Sequence, residues 1–321
     1  MRQIAEEAGV SVQAVSLALR GHPTVSEELR RRVRAIADRL GYRPDPALSA
    51  LVDHRRFGRS AEPSTLAVVA NVRLREFAKP EFVRLLLRGA RWRAERLGYR
   101  MAYFAQPDFG GMASLSRALE ARGVRGVLLL PLEETVPVEG ELVWDRFCVV
   151  STDTAWSKRE LLCVKVDHGA NARLGLEALW AKGSRQIALL VRPTLAEKNQ
   201  RAYHAAYLDF ALTHGMEPMI FPESKVWSPQ TVRAWFAGLG ADTLLTCGPH
   251  FREWAGEAAR GRIIAELHLP AGERHRPGVR QNEALVGAVA VDQLHGMLVS
   301  HQPGVLRHPW SVLVPGRWAG G

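Results

Sequence analysis

Cysteine is scarce in this 321-residue sequence: Cys148, Cys163 and Cys247 are widely spaced and odd in number. No pair has metal-ligand spacing, and three scattered thiols make no disulfide framework, so they read as buried free thiols in a reducing compartment. Long apolar runs are missing too. None approaches the ~20 residues of a membrane span, and Glu6 and Glu7 arrive too early for a secretion segment. A soluble, cytoplasmic protein with no membrane partner is expected. Lysine is rare: the 43 cationic side chains are overwhelmingly arginine. Catalytic signatures are likewise missing. There is no Walker loop, no G-x-G-x-x-G behind a strand, no G-x-S-x-G and no H-E-x-x-H. His204, His214, His250, His268 and His275 show no ligand spacing. The sequence therefore reads as no enzyme, with no cofactor and no metal.

What is present is an ordinary globular balance, 47% hydrophobic and 24% charged. The length suits one large or two medium domains. A net charge of +10 points to a polyanionic partner, and its placement sharpens the point. Residues 1–60 hold 11 arginines, no lysine and 7 acidic residues, a net +4, leaving +6 for the other 261. Charge per residue is about threefold higher in the first segment, where a nucleic-acid footprint would lie. The arginine bias of the whole chain accounts for part of this surplus.

The stretch from Ile4 to Leu19 reads as two short helices around a tight turn. Ile4, Ala5 and Ala8 form one small apolar face. Gly9 stands where a helix ends in left-handed backbone, and Ser11 where an N-cap hydroxyl accepts from the next turn. Val15 and Leu19 face back onto the first helix, leaving Gln13 and Ser16 outside. A third helix, Ser26 to Leu40, is apolar along Leu29, Val33, Ile36, Ala37 and Leu40 and arginine-rich elsewhere. An ordinary helical hairpin would share the apolar spacing. Spacing, turn and charge together favour a helix-turn-helix, which presents its second helix to DNA.

Asp45 to Val52 is a short helix candidate, with Asp45 as cap and Pro46 in the first turn. His54 to Ser60 reads as a basic linker, either a plain spacer or a segment that orders on DNA. From Leu66 onward, buried strands alternate with amphipathic helices in two successive runs. Strands are expected at 66–70, 100–104, 126–130, 147–150, 187–191, 243–246 and 263–267, and a long late helix at 284–299. Such alternation implies parallel, doubly wound sheets in two similar lobes, with ligands lying beyond the carboxyl ends of the strands.

These residues resemble the lactose-repressor/galactose-repressor (LacI/GalR) family of bacterial transcription regulators. The family opening, roughly I-A-x-x-A-G-V-S-x-x-T-V-S-R-x-L-N-G, is matched by Ile4-Ala5-Glu6-Glu7-Ala8-Gly9-Val10-Ser11 and by Ala14-Val15-Ser16-Leu17-Ala18-Leu19-Arg20-Gly21. Val25-Ser26-Glu27, Leu40-Gly41-Tyr42-Arg43-Pro44, Gly183-Ser184-Arg185-Gln186-Ile187-Ala188 and Pro315-Gly316-Arg317-Trp318 continue it. The resemblance implies an α/β fold class: an N-terminal three-helix DNA-binding domain (1–45), a hinge helix and linker (46–62), and a two-lobed, periplasmic-binding-protein-like core (63–321). Lobe 1 would comprise about 63–157 and 283–306, and lobe 2 about 158–282 and 307–321. It also implies a homodimer on a palindromic double-stranded DNA operator, usually repressing, and a small-molecule effector, often a carbohydrate, between the lobes.

Carried over by position, Val12, Gln13 and Leu17 would face base edges. Ser11, Ser16 and Ser26 would hold phosphates, and Arg20, Thr24 and Leu48 would join the DNA-binding set. Leu51 matches the hinge leucine that wedges between base steps, although packing on the partner hinge would equally explain it. Several positions depart from the family pattern. Leu17 stands where Arg is common, forgoing a guanine contact worth about 1–3 kcal/mol. Ala14 replaces the usual Thr, and Asp45 the usual Asn. A non-standard operator, read mainly by Gln13, is the expectation.

For the effector, Asp153 follows a buried strand, Gln281 falls near a family position facing the cleft, and Arg201 matches an arginine that binds effector hydroxyls or carboxylates. A surface ion-pair arginine at a helix start fits the sequence nearly as well. The family's Asn-Asp after the late strand is replaced by Thr246-Cys247-Gly248-Pro249. Trp156, Trp227 and Trp254 are candidate stacking residues, or core. The competing readings are an α/β enzyme or a solute-binding protein with a helical N-terminal cap. The basic N-terminal segment argues against both.

Overall fold

Helix α1 (Arg2–Ala8) stops at Gly9, whose φ of +65° takes the left-handed turn that a side chain would resist. The computed structural model describes residues 2–19, 25–40, 64–73, 76, 80–132, 138–152, 156, 160–248 and 251–320. The Val10 amide closes the turn on the Ala5 carbonyl at 3.0 Å. Ser11 Oγ then accepts from Ala14 N at 3.1 Å and starts α2 (Val12–Leu19). Ser26 caps α3 (Glu27–Arg39) by accepting from Leu29 N at 3.3 Å, and Glu27 and Glu28 complement the dipole of its first turn. The three helices close over Ile4, Ala5, Ala8, Val15, Ala18, Val33 and Ala37. The small Ala5 and Ala8 are what let helices this short approach closely. An Arg39–Glu7 ion pair joins α3 to α1.

The second compact unit holds two six-stranded sheets. In the first lobe, β1 (Thr65–Ala70), β2 (Arg100–Ala105), β3 (Gly126–Leu129), β4 (Cys148–Ser151) and β5 (Cys163–Val166) pair in parallel. They alternate with α4 (Glu81–Arg96) and α5 (Met112–Ala121). Helix α6 (His168–Ala181) opens the second lobe. There β6 (Ile187–Val191), β7 (Met219–Ile220), β8 (Thr243–Cys247), β9 (Ile263–Glu266) and β10 (Gly278–Arg280) form the other parallel sheet. Its helices are α7 (Pro193–Lys198), α8 (Ala202–Thr213), α9 (Pro229–Ala237) and α10 (Phe251–Ala255). The chain then returns through α11 (Glu283–Val299) to β11 (Ser311–Val314), beside β5, and ends in β12 (Arg317–Ala319), antiparallel to β10. Strands β1, β3, β6 and β8 are buried almost throughout, as strands covered by helices on both faces must be. Among the described residues, no helix is long and apolar enough to cross a membrane.

The strands correct the expected lobe boundaries. Because β5 and β11 both belong to the first sheet, the chain crosses between lobes at 166–168 and 314–317, later than the expected 157 and 306. Both strands have only four residues; Lys165 interrupts one, and the other is half exposed at the sheet edge. Neither presents the continuous apolar run by which a buried strand is recognised.

Three crossovers now run side by side. Asp167 N donates to Val314 O at 2.9 Å. Asn282 Nδ2 donates to Pro315 O at 2.6 Å, and Gly316 N to Asn171 Oδ1 at 2.7 Å. Near them α4 and α11 cross backbone to backbone at Gly89 and Gly287. A Cβ on Gly89 would sit 1.8 Å from Ala284 O, and one on Gly287 2.0 Å from Leu86 O.

Candidate nucleic-acid interface and interlobe cleft

Helix α2 turns Val15 and Ala18 inward, which sets Val12, Gln13, Ser16 and Leu17 on its other side. Val12 and Gln13 are exposed, and Ser16 is half-buried. Leu17 is half-buried and leans on the three-helix core, so only part of it faces outward. Ser11 and Ser26 use an oxygen lone pair to cap helices, leaving each hydroxyl proton free to donate to a phosphate. Arg31, Arg32 and Arg34 of α3 are exposed, while Arg30 is held by Glu27 Oε2 and Val25 O, both at 2.8 Å. The unit therefore offers one amide reader, apolar tips for thymine methyls, two cap hydroxyls and a basic flank. Arg20, Thr24, Leu48 and Leu51 lie outside the described residues.

Within the second unit, both sheets point the carboxyl ends of their parallel strands toward the crossovers. Polar groups lie there: the buried Asn71, Gln106 and Thr152 after strands of the first sheet, the half-buried His168 at a crossover, and the buried Tyr203 and half-buried Gln281 in the second lobe. Thr152 Oγ1 donates to Leu129 O at 2.9 Å. The Tyr203 hydroxyl lies 2.8 Å from His168 Nδ1 and accepts from Gln281 Nε2 at 3.2 Å. Gln281 also donates to Leu267 O at 2.9 Å. Burial above all, helped by the Lys165 and His268 charges, lowers the His168 pKa to about 4. The ring is then neutral near pH 7, and its Nδ1 accepts from Tyr203. Burial likewise raises the Tyr203 phenol well above its ordinary value.

A second opening of about 410 Å³ lies between α4 and the 268–285 segment. Leu85, Arg88, Leu269, Arg280, Leu285 and Arg317 line it, with Gln281 at its rim. His268 Nε2 meets the buried Glu283 carboxylate there at 2.9 Å.

Of the expected effector residues, Arg201 and Gln281 are described, and they make different contacts. Arg201 grips Glu223 through both guanidinium nitrogens on an exposed face, so the ion-pair alternative describes its present contacts. Gln281 faces inward, toward Tyr203. Asp153 lies outside the described residues. Trp156 is buried and donates to Leu130 O, while Trp227 and Trp254 pack with Phe251 in the second-lobe core. The sequence reading missed Tyr203, His168 and the His268–Glu283 pair. Tyr203 stands two residues after Arg201, but a tyrosine near a helix start carries no signal that its hydroxyl will be gathered by three other segments.

All three cysteines are buried thiols outside any disulfide. Burial raises the Cys247 thiol to about 11, so only about one molecule in a thousand carries the reactive thiolate at pH 8. Ellman's reagent should leave all three untouched over minutes in native protein and titrate them promptly in denaturant. Fast stoichiometric release from the native chain would contradict this burial.

Residues 1–45 match the family model for bacterial regulatory proteins of the lacI family. Over 228 residues the chain is 27% identical to catabolite control protein A of Streptococcus mutans, a match covering 71% of this chain and 64% of that protein. The first 45 residues are thus similar to the DNA-binding domain of LacI/GalR regulators. The architecture extends the LacI/GalR likeness along the whole chain. The transcriptional regulator CelR, solved in complex with cellobiose, superposes with a TM-score of 0.54 at 18% identity, covering 98% of this chain and 96% of that one. The lac repressor dimer, solved bound to operator and the anti-inducer ONPF, superposes with a TM-score of 0.51 at 21% identity over 98% and 96%. At these identities the likeness is one of fold: a LacI/GalR helix-turn-helix unit joined to a two-lobed, periplasmic-binding-protein-like core.

Proposed function

We propose that this chain is a sequence-specific DNA-binding transcription regulator. It binds a palindromic operator as a homodimer, represses, and responds to a small carbohydrate bound between the lobes. One observation carries the reading: the first 45 residues match the lacI family model, and α2 stands out of a closed three-helix core with Gln13 exposed. A helix in that setting fits the major groove, where an amide can pair with adenine N6 and N7. A single unit covers one half-site, so the reading requires two copies. The proposed division is 1–45 for DNA, 46–62 for a hinge in which Leu48 and Leu51 approach the minor groove, and 63–321 for effector binding and dimerisation. Catalysis forms no part of this role, which is exercised in the cytoplasm. The structurally similar regulator CelR, solved in complex with cellobiose, supports a carbohydrate as effector.

Unbiased operator selection tests the reading. Wild type should enrich a palindrome whose affinity falls steeply with salt, as phosphate contacts release counterions. Gln13→Ala should relax one position in each half-site, a loss of about 1–3 kcal/mol of discrimination. Identical motifs for the two proteins would remove Gln13 as the main reader. No enriched motif, with salt-independent binding, would remove DNA as the partner.

A further inference from the structure

Helix α7 leaves the carboxyl end of β6, the strand between β8 and the edge strand β7 in the second-lobe sheet, and begins with Pro193. Its inner side is fastened to that lobe: Ala196 is 1% exposed and packs in the core, with Leu195 beside it. Its last residue faces the other way. Lys198 Nζ donates to Leu132 O at 3.0 Å, and Leu132 follows β3 in the first-lobe sheet. One short helix thus bridges the two lobes at the ends of their inner strands, where ligands of doubly wound sheets lie.

The link that follows is under strain. Gln200 and Arg201 both adopt left-handed backbone, at φ of 53° and 56°, and neither is glycine. Such residues persist only where their surroundings hold them. Three hydrogen bonds do so here: Gln200 N to Glu197 O at 2.9 Å, Arg201 N to Ala196 O at 2.7 Å and Ala202 N to Asn199 O at 3.1 Å. Nearby, the buried Asn199 Nδ2 and His204 Nδ1 have no hydrogen-bond partner among the described residues. The closed arrangement therefore carries both bent backbone and unmatched polar atoms, which a movement of α7 would release.

We propose that α7 is a sprung lid over the interlobe cleft, with Lys198 as its catch on the first lobe and Gln200–Arg201 as its hinge. The purpose of the lid rests on the reading that a small molecule occupies this cleft. An entering ligand with acceptor oxygens, such as a carbohydrate, competes with the Leu132 carbonyl for the Lys198 ammonium, which couples occupancy to the catch. The lobes stay joined elsewhere, where Ala271 N donates to Glu81 Oε2 at 3.2 Å. Releasing the catch thus frees α7 without separating the lobes.

Hydrogen exchange on the full chain, without DNA or sugar, tests the lid. Lys198→Met keeps length and apolar bulk but removes the donor. Its amides should exchange at least about tenfold faster at 195–201 and also at 130–132 across the cleft, as expected for one lost charge-assisted hydrogen bond. Lys198→Arg, which restores a donor, should exchange at close to the wild-type rate. An unchanged melting temperature for Lys198→Met marks the effect as local opening. Wild-type exchange in Lys198→Met, acceleration confined to α7, or no rescue by arginine would each overturn the proposal. Because no operator is involved, failure here leaves the DNA-binding reading standing, and failure of operator selection leaves the lid standing.

Discussion

Val15→Asp is expected to abolish operator binding while leaving the melting transition of the two-lobed unit within about two degrees of wild type, since that unit contains none of the affected contacts. Val15 is fully buried in the three-helix core with Ile4, Ala8 and Val33. A carboxylate there finds no cation in that apolar cluster, and burying an unpaired charge costs several kcal/mol even after the group shifts its own protonation. So small a helical unit holds little reserve, roughly 2–7 kcal/mol at 0.05–0.15 kcal/mol per residue. The helix-turn-helix therefore unfolds, and α2 no longer exists as a rigid reader. Fluorescence anisotropy with the selected operator and differential scanning calorimetry are the measurements. Wild-type affinity in Val15→Asp would mean that α2 does not pack as described. A large fall in the main transition would mean that this unit is not what the substitution disturbs.

The second large effect is expected at Gly287. Leucine there places a Cβ 2.0 Å from Leu86 O and 2.9 Å from Ala90 N, both backbone atoms. Overpacking ordinarily costs about 1–3 kcal/mol when neighbouring side chains can turn aside. Backbone cannot, so α4 and α11 must separate, and the loss should exceed about 3 kcal/mol. The urea midpoint should fall sharply, or the protein should collect in the insoluble fraction. Gly296 lies in the same helix with open space around its Cα. Gly296→Ala should therefore gain about 0.5–1 kcal/mol from helix propensity. Similar midpoints for the two variants would refute the close crossing.

Much of this architecture was legible before any coordinates. The turn at Gly9, the Ser11 and Ser26 caps and the inward faces of α1 to α3 are local matters. Each depends on residues within four positions of one another, and cap chemistry and helical spacing report them directly. The strands of the parallel sheets were legible for a related reason: burial on both faces demands an unbroken apolar run, as in Ile187 to Val191. Strands β5, β7, β10, β11 and β12 were not. They are two to four residues long, several are partly exposed, and their pairing partners are distant in sequence. Missing β5 and β11 misplaced two lobe crossovers.

The cleft was the least legible region, because its contacts join residues far apart in the chain. Gln281 and Tyr203 are 78 positions apart, and Lys198 and Leu132 are 66. Arg201 illustrates the difficulty. Its position suggested a ligand contact, yet its guanidinium is satisfied by Glu223, a partner that spacing alone could not nominate. The lone tryptophans resolved the same way, into core contacts.

By itself the sequence determined that this chain begins with a small basic helical unit built to present one helix, followed by two runs of strand and helix. Those properties follow from local stereochemistry and from the period of apolar residues. Only the tertiary structure decided where the lobes begin and end, which polar side chains share the cleft, and that α7 spans it. Those outcomes turn on which distant groups satisfy one another once water is excluded, and that choice is made only when both lobes are assembled.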